Sequence, residues 1–307
     1  MTELIDVRFV DHYASAAGVD RRVAERDVVL TYVLRMMKDN NILGDLAFKG
    51  GTCLRKIYLG RVGRFSEDLD FTLIGYDLAR LERRFSSFIE EARGYGFTLS
   101  FDNLRKSWEG SFTCNVHYRH GWNKGDFKFE VSLREDPVLE VLDRGIQDEL
   151  YFRYTEFEPF DVPCMQLEEV LAEKIRATYQ RATARDVWDL YQYAYRSYDR
   201  DMVKRLAVIK FWNDKSEYDP EKLMDKISTM RIDFSEVEYL LKNTEHPREE
   251  EIKSRTSSSF DYLRELDKDL INILEDTRKH RAGALVKEVC EELKSKGKKR
   301  SPDKPNS

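Results

Sequence analysis

The sequence has little cysteine and little proline, four and seven residues in a chain of 307. The four cysteines lie far apart and form no Cys-x-x-Cys pair, which argues against a zinc ribbon or a disulfide scaffold. Every apolar run is much shorter than the roughly 18–20 residues that a membrane span needs. No basic segment followed by an apolar one opens the chain, so no secretory signal is predicted. These absences favour a cytoplasmic protein.

What the sequence does contain is enough apolar surface for a core and a dense surface charge. Hydrophobic residues make up 41% and charged residues 36%, and the formal net charge is -5. An acidic balance of this kind disfavours a protein that coats nucleic acid through its bulk charge, although it leaves room for a local basic site. The length favours two domains.

The first half of the chain shows a mixed α+β pattern. Helical periodicity up to about residue 40 is followed by a short strand at 45–51, a short helix and a second strand at 66–75. A helix then precedes three strand candidates that are rich in Phe, Val, Tyr and Thr. This order predicts a mixed sheet with helices packed on it.

The pattern becomes helical near residue 166, just after Pro159 and Pro163. We therefore predict an α/β domain with N-terminal helices over residues 1–165 and a helical domain over 166–293. The final segment, 294–307, is rich in Lys and Arg and lacks apolar residues, which is typical of a disordered basic tail.

A pair of aspartates carries the first chemical signal. Asp68 and Asp70 are two residues apart, so on a strand they project from one face together with Ser66. Two carboxylates in this arrangement suit Mg²⁺, which prefers oxygen ligands and takes others from water and substrate phosphates. An acidic, solvated strand face is the alternative, and the motif alone favours it.

Two glycines upstream of this pair favour a phosphate site. Gly50 and Gly51 lie between a predicted strand and a predicted helix that has Thr52 in its first turn. Glycines there allow a phosphate to approach the backbone, and a helix N-terminus favours negative charge. A simple tight turn is the alternative. The order of these elements, ending in the aspartate pair, favours a polyphosphate–metal site.

Glu130 is a candidate third ligand. Glu130 alternates with apolar residues in DFKFEVSL, which places it on the polar face of its strand. If that strand lies beside the strand of the aspartates, Glu130 can complete a metal site. Otherwise it is a charge that faces solvent.

A second charged segment lies in EKIRATYQRATARDVWDLY. On a helix, Lys174 and Arg181 share roughly one face, and Asp186 falls in the first turn of the next helix after a break at 182–184. A lysine next to a triphosphate neutralises charge that develops during transfer. Asp186 can orient Lys174 or Arg181. A salt-bridged helical hairpin is an equally good interpretation of this segment alone.

Taken in order, FKGGTCLRKIY, RFSEDLDF and the segment containing Lys174 resemble the AbiEii/AbiGii toxin family, a branch of the nucleotidyltransferases that includes the MenT-type toxins. The resemblance implies a nucleotidyltransferase-like mixed-sheet domain followed by a helical domain. It also implies Mg²⁺-dependent transfer of a nucleotide from an NTP, for some members to the 3′ end of tRNA. By motif, Ser66, Asp68, Lys174 and Asp186 fall on active-site positions, with Asp70 as the second metal ligand.

The family setting implies a toxin–antitoxin or phage-defence system, in which a cognate antitoxin is encoded nearby. Gly50, Gly51, Thr52, Lys174 and Arg181 are then the expected NTP contacts. We predict one NTP–Mg²⁺ site that also uses the first helices of the helical domain. The alternatives are an enzyme of the same fold that modifies a protein or a small molecule, and a catalytically silent nucleotide-binding or partner-binding module.

Overall fold

The structure, a computed structural model, describes residues 5–75, 77–91, 93–94, 96–107, 110–155, 157–181, 183–229, 231–242 and 247–299. The chain forms two compact units. The first runs to Asp136 and also includes Leu142–Cys164 and the segment from Glu238. The second includes Pro137–Val141, Met165–Val237 and the segment from Pro247.

An eight-stranded mixed sheet forms the centre of the first unit. Its strands are β1 (Leu46–Lys49), β2 (Leu69–Leu73), β3 (Arg93–Gly94), β4 (Phe97–Ser107), β5 (Ser111–His120), β6 (Lys124–Ser132), β7 (Leu142–Gly145) and β8 (Asp161–Cys164). Their order in the sheet is β3-β4-β5-β6-β2-β1-β8-β7. In this order β6, β2 and β1 are adjacent and form the middle of the sheet. The central strand β2 is antiparallel to β1 and parallel to β6.

The helices of the first unit are α1 (Val7–Ala17), α2 (Arg21–Asp39), α3 (Gly50–Cys53), α4 (Leu78–Glu91) and α5 (Phe152–Thr155). Of these, α2 and α4 pack on one face of the sheet. The ring of Phe85 on α4 stacks on that of Phe129 on β6, with 4.5 Å between centroids, and Tyr32 on α2 contacts Phe97 on β4 edge to face. The strict alternation of buried and more exposed residues along β5 follows from this one-sided packing. The predicted mixed α+β sheet is confirmed.

The second unit is helical. Its helices are α6 (Leu167–Gln180), α7 (Ala184–Tyr191), α8 (Arg200–Asn213), α9 (Pro220–Thr229), α10 (Ser235–Glu238, which ends at the unit boundary), α11 (Glu249–Ser259), α12 (Lys268–Glu275) and α13 (Gly283–Lys299). The break between α6 and α7 falls where it was predicted. In contrast, α13 continues to Lys299, so residues 294–299 belong to a helix and not to the predicted tail; residues 300–307 lie outside the described residues. Among the described residues, no helix combines the length and the hydropathy of a membrane span.

Candidate active site

The turn from β1 into α3 lies directly against the aspartate segment. Gly50 has φ of +76°, and a Cβ atom there would overlap the Asp70 carboxylate and lie 2.9 Å from the Asp70 Cβ. A Cβ on Gly51 would lie 2.7 Å from Arg64 Nη2 and 3.1 Å from Ser66 Oγ. At residue 50 only glycine permits this approach of the backbone. We call Gly50, Gly51, Ser66, Asp68 and Asp70 the aspartate site.

The strand that was predicted to hold both aspartates begins later than expected. β2 starts at Leu69, so Asp70 lies within the strand, whereas Ser66 and Asp68 lie in the segment before it. The reason is that backbone groups of this segment form hydrogen bonds outside the sheet. The Asp68 carbonyl accepts a hydrogen bond from the Thr52 hydroxyl, and the Phe65 amide donates to the Leu240 carbonyl at 2.9 Å. The prediction that one strand holds Ser66, Asp68 and Asp70 is therefore wrong, because only Asp70 lies within β2.

Glu130 lies where the sequence placed it. β6 is the parallel neighbour of β2, and Glu130 pairs with Asp70 in register, so the two carboxyl groups belong to the same face of the sheet. Lys128 forms an ion pair with Glu130. Burial alone would lower the pKa of Lys128, but the hydrogen bond and charge of Glu130 and the charges of Asp70 and Asp68 raise it. One lysine thus interacts with all three acidic residues.

Two of the acidic residues, Asp68 and Asp70, are suitable as ligands of Mg²⁺. The described part of the chain holds no group of three His, Cys, Asp or Glu residues arranged around one metal ion, and the Glu130 carboxylate is engaged by Lys128. Asp68 and Asp70 would supply the hard oxygen ligands, since Mg²⁺ keeps several waters and completes its shell with phosphate oxygens. Ligation by Glu130 stays a prediction.

Arg64 is a residue of this site that sequence reasoning missed. Its side chain is buried, with 6% of the residue exposed, and Nη1 donates to the Phe65 carbonyl at 2.9 Å while Nη2 lies against Gly51. A buried guanidinium next to a glycine turn is a group suited to phosphate. The available signal was its position two residues before Ser66 in RFSEDLDF.

A buried ion network supports the segment that leads to the aspartates. The Arg55 guanidinium pairs with Asp27 at 3.2 Å and with Glu149 at 2.9 Å, and Lys56 pairs with Asp27 at 2.6 Å. All four side chains are almost completely buried. Arg55 also donates to the carbonyl of Gly63 at 2.9 Å. Removal of one partner from such a network costs about 3–5 kcal/mol, so the network fixes the start of the RFSEDLDF segment.

In the second unit, Lys174 lies between two carboxylates. Its Nζ is 3.2 Å from Asp186 Oδ1 and 2.8 Å from Asp189 Oδ2, and only 11% of the side chain is exposed. Arg181 Nε lies 2.7 Å from Asp186 Oδ2. We call Lys174, Arg181, Asp186 and Asp189 the lysine cluster. The structure thus brings together the three residues predicted from this segment, and it adds Asp189, for which sequence reasoning gave no role.

The local structure explains why Asp186 stays ionised. Thr183 caps α7: its hydroxyl accepts from the Asp186 amide and lies 2.8 Å from Asp186 Oδ2. Burial alone would raise the pKa of Asp186, but the Lys174 charge and the Arg181 hydrogen bond outweigh it and hold that pKa well below its usual range. An ionised Asp186 forms an ion pair with Lys174 that fixes the position of its Nζ. That Lys174 acts with the aspartate site stays a prediction.

Comparison with known proteins identifies one family and solved structures with a similar fold. A family model described as nucleotidyl transferase AbiEii toxin, type IV toxin–antitoxin system, matches residues 33–278. MenT4, a nucleotidyltransferase toxin from Mycobacterium tuberculosis H37Rv, is 24% identical over 94% of this chain and 99% of its own, with a TM-score of 0.78. A candidate nucleotidyltransferase from H. pylori is 21% identical over 78% of this chain and 96% of its own, with a TM-score of 0.50. At these identities the two structures establish the fold alone. No curated protein matches the sequence.

Proposed function

The chain belongs to the AbiEii family of nucleotidyltransferase toxins from type IV toxin–antitoxin systems, and we propose that it uses Mg²⁺ to transfer a nucleotide from an NTP to the 3′ end of a tRNA. Membership of this family makes the chain a nucleotidyltransferase. The use of Mg²⁺ and the tRNA 3′ end as acceptor are what we propose. The observation that carries it is the contact of the Gly50–Gly51 backbone with Asp70, Ser66 and Arg64. In this contact a glycine turn, a hydroxyl and a guanidinium lie next to the carboxylate of Asp70, one of the two proposed metal ligands.

The polar residues of the aspartate site and two neighbours, Arg64 and Thr52, would each have a part in this reaction. Asp68 and Asp70 would hold Mg²⁺, which supplies charge stabilisation to the attacking and leaving oxygens when it is bound. Ser66 and Arg64 would donate hydrogen bonds to phosphate oxygens of the NTP. Thr52, whose hydroxyl donates to the Asp68 carbonyl, positions that aspartate. The acceptor hydroxyl attacks the α-phosphorus, its proton is lost, and pyrophosphate leaves.

We assign the lysine cluster to the same reaction. An ammonium ion stabilises the negative charge that develops on the leaving pyrophosphate, and Lys174 is kept charged by Asp186 and Asp189. Arg181, whose side chain is 63% exposed, is the member of the cluster that can also reach a ligand. Sequence resemblance to the family supports this assignment for Lys174 and Asp186.

The family also bears on the setting of the reaction. A type IV toxin–antitoxin family implies an antitoxin partner, and we propose that a nearby gene encodes it and that the pair acts in phage defence. Since NTP and tRNA are abundant in the cytoplasm, we propose that the enzyme acts there.

Labelling of tRNA tests the proposed function directly. The protein is incubated with total tRNA and each of the four α-labelled NTPs, with Mg²⁺ or with EDTA. We expect label at the tRNA 3′ end with at least one NTP, and only in the presence of Mg²⁺. Parallel reactions with protein and small-molecule acceptors identify the alternative substrates, and an unchanged NTP concentration in all of them would indicate a silent module.

A further inference from the structure

Glu67 lies between Ser66 and Asp68, and both oxygens of its carboxylate have partners in the protein. Arg26 Nη1 on α2 lies 2.6 Å from Glu67 Oε1. The Tyr239 hydroxyl donates a hydrogen bond to Glu67 Oε2 at 2.5 Å. Only 19% of the Glu67 side chain is exposed. A partly buried cation and a phenol thus fix the position of this carboxylate.

The segment that contains Glu67 depends on such contacts for its conformation. Residues 64–68 belong to no helix or strand, since β2 begins at Leu69. Hydrogen bonds of the sheet therefore do not set the position of Asp68. Holding one residue in a single backbone conformation costs about 1–2 kcal/mol of conformational entropy. Contacts with other parts of the chain must offset this cost.

One set of these contacts comes from residues 239–242, which we call the return segment. It follows α10 and belongs to the first unit. Leu240 is completely buried in the core of that unit, and its carbonyl accepts the hydrogen bond from the Phe65 amide at 2.9 Å. Its neighbour Tyr239 reaches the Glu67 carboxylate, although 172 residues separate the two in the chain. The return segment thus holds the stretch before Asp68 at two points.

We propose that Glu67 is a positioning residue for nucleotide transfer, which fixes Asp68 by connecting its segment to Arg26 of α2 and to Tyr239 of the return segment. The inference rests on the proposed function, in which Asp68 is a ligand of Mg²⁺. It deepens that function by assigning the groups that keep this ligand in place. Glu67 acts through the backbone that it shares with Asp68 and not by contact with the reacting atoms.

The covalent connection explains how Glu67 can influence the rate. Glu67 and Asp68 share a peptide bond, so a shift of the Glu67 backbone moves Asp68 as well. A displacement of about 1 Å near a reacting group can cost roughly 100-fold in rate. Without the Glu67 carboxylate, the Thr52 hydroxyl still holds the Asp68 carbonyl. We therefore expect a loss of alignment and not a loss of the fold.

Two variants and a matched control test the inference. Glu67→Ala removes the carboxylate, and Tyr239→Phe removes only the hydroxyl of a residue that is 45% exposed. The control is Arg84→Ala, which breaks an ion pair with Asp45 at 2.8 Å in the same unit. The side chains of that pair are 27% and 29% exposed, similar to the 27% and 19% of Arg26 and Glu67.

The measurements are kcat and KM for NTP in tRNA labelling, Kd for Mg²⁺ with a non-reactive NTP analogue, and thermal melting. We expect Glu67→Ala to lower kcat at least about 30-fold and Tyr239→Phe to lower it about fivefold, each with KM for NTP within about threefold of the wild type. Glu67→Ala should also raise Kd for Mg²⁺ at least about tenfold, because Asp68 is displaced. Arg84→Ala should lower the melting temperature but keep kcat within about twofold.

A merely structural role of Glu67 would lower the melting temperature and leave kcat of the folded protein unchanged. If folded Glu67→Ala keeps the kcat and the Mg²⁺ affinity of Arg84→Ala, the inference is wrong and the proposed function stands. If Glu67→Ala does not fold, an unchanged kcat of Tyr239→Phe overturns the inference in its place. If the wild type labels protein and not tRNA, the proposed acceptor is wrong, and kcat with protein decides the inference by the same comparison. A wild type that transfers no nucleotide contradicts both.

Discussion

The backbone of Gly50 lies against the carboxylate of Asp70, so closely that a Cβ atom on residue 50 would overlap it. Residue 50 also has a positive φ of 76°, which L side chains rarely adopt. Two separate constraints therefore require glycine at the point where β1 becomes α3. We interpret the close approach as the feature that holds Asp70 next to the glycine turn, which we propose binds the phosphates of the NTP.

The substitution Gly50→Ala tests this interpretation. The methyl group must displace the Asp70 carboxylate, so we expect nucleotide transfer to fall at least about 100-fold, or about 2.7 kcal/mol of transition-state stabilisation. Gly75→Ala is the control, because Gly75 has a similar φ of +66° and nothing within 4 Å of its added Cβ. It should cost about 1 kcal/mol in stability and leave kcat/KM within twofold. Equal activity of the two variants would contradict the interpretation.

A second prediction separates the two aspartates from Glu130. Because the Glu130 carboxylate is already paired with Lys128, Glu130→Gln should weaken Mg²⁺ binding less than tenfold, whereas Asp70→Asn should weaken it by more than 100-fold. Calorimetric titration of Mg²⁺ in the presence of a non-reactive NTP analogue measures both. An equally large loss with Glu130→Gln would make Glu130 a third ligand, as its strand position predicts.

The lysine cluster gives a third prediction. Lys174→Ala removes the cation that buried Asp186 and Asp189 share, a loss that costs about 3–5 kcal/mol in a buried ion pair, and it should abolish most transfer. Lys174→Arg keeps the charge but not the compact ammonium, so it should restore stability largely and transfer only in part. Urea unfolding and initial transfer rates measure the two effects separately. Wild-type transfer by a folded Lys174→Ala protein would remove Lys174 from the mechanism.

The pKa of Asp186 predicts how stability depends on pH. Its folded pKa lies below the ordinary value of 3.8 because Lys174 and Arg181 outweigh the effect of burial. The unfolded chain therefore binds more protons at low pH, so the stabilisation is complete above about pH 5 and is lost as the pH falls through the folded pKa. The difference in free energy of unfolding between the wild type and Asp186→Asn should shrink by about 1 kcal/mol between pH 7 and pH 3. A difference that is constant over this range would show that Asp186 is not held ionised by its neighbours.

Local patterns in the sequence predicted much of this site. The alternation in β5 and β6 placed Glu130 on a polar strand face, and the structure pairs it with Asp70. The glycine pair correctly marked the turn from β1 into α3. These predictions succeeded because periodicity and glycine conformation depend on residues that are close in the chain.

Features that depend on distant residues were not predicted. β2 starts at Leu69 and not at Ser66 because the Phe65 amide donates a hydrogen bond to the carbonyl of Leu240, 175 residues away. The role of Arg55 depends on Glu149, 94 residues away. The helical residues 294–299 were assigned to a tail because they lack apolar side chains, but lysine is a good helix former and is favourable near a helix C-terminus. The apolar anchor of α13 is the buried Leu293, which directly precedes these residues.

The rate of label transfer to tRNA by the wild type and by Asp68→Ala tests the central claim most directly. Both proteins are assayed with the NTP that the wild type prefers, at saturating Mg²⁺, after circular dichroism has shown equal folding. The account predicts that the wild type labels the tRNA 3′ end and that Asp68→Ala does so at least 1,000-fold more slowly, a loss of about 4 kcal/mol in transition-state stabilisation. Transfer by a folded Asp68→Ala protein at a rate near that of the wild type would contradict it.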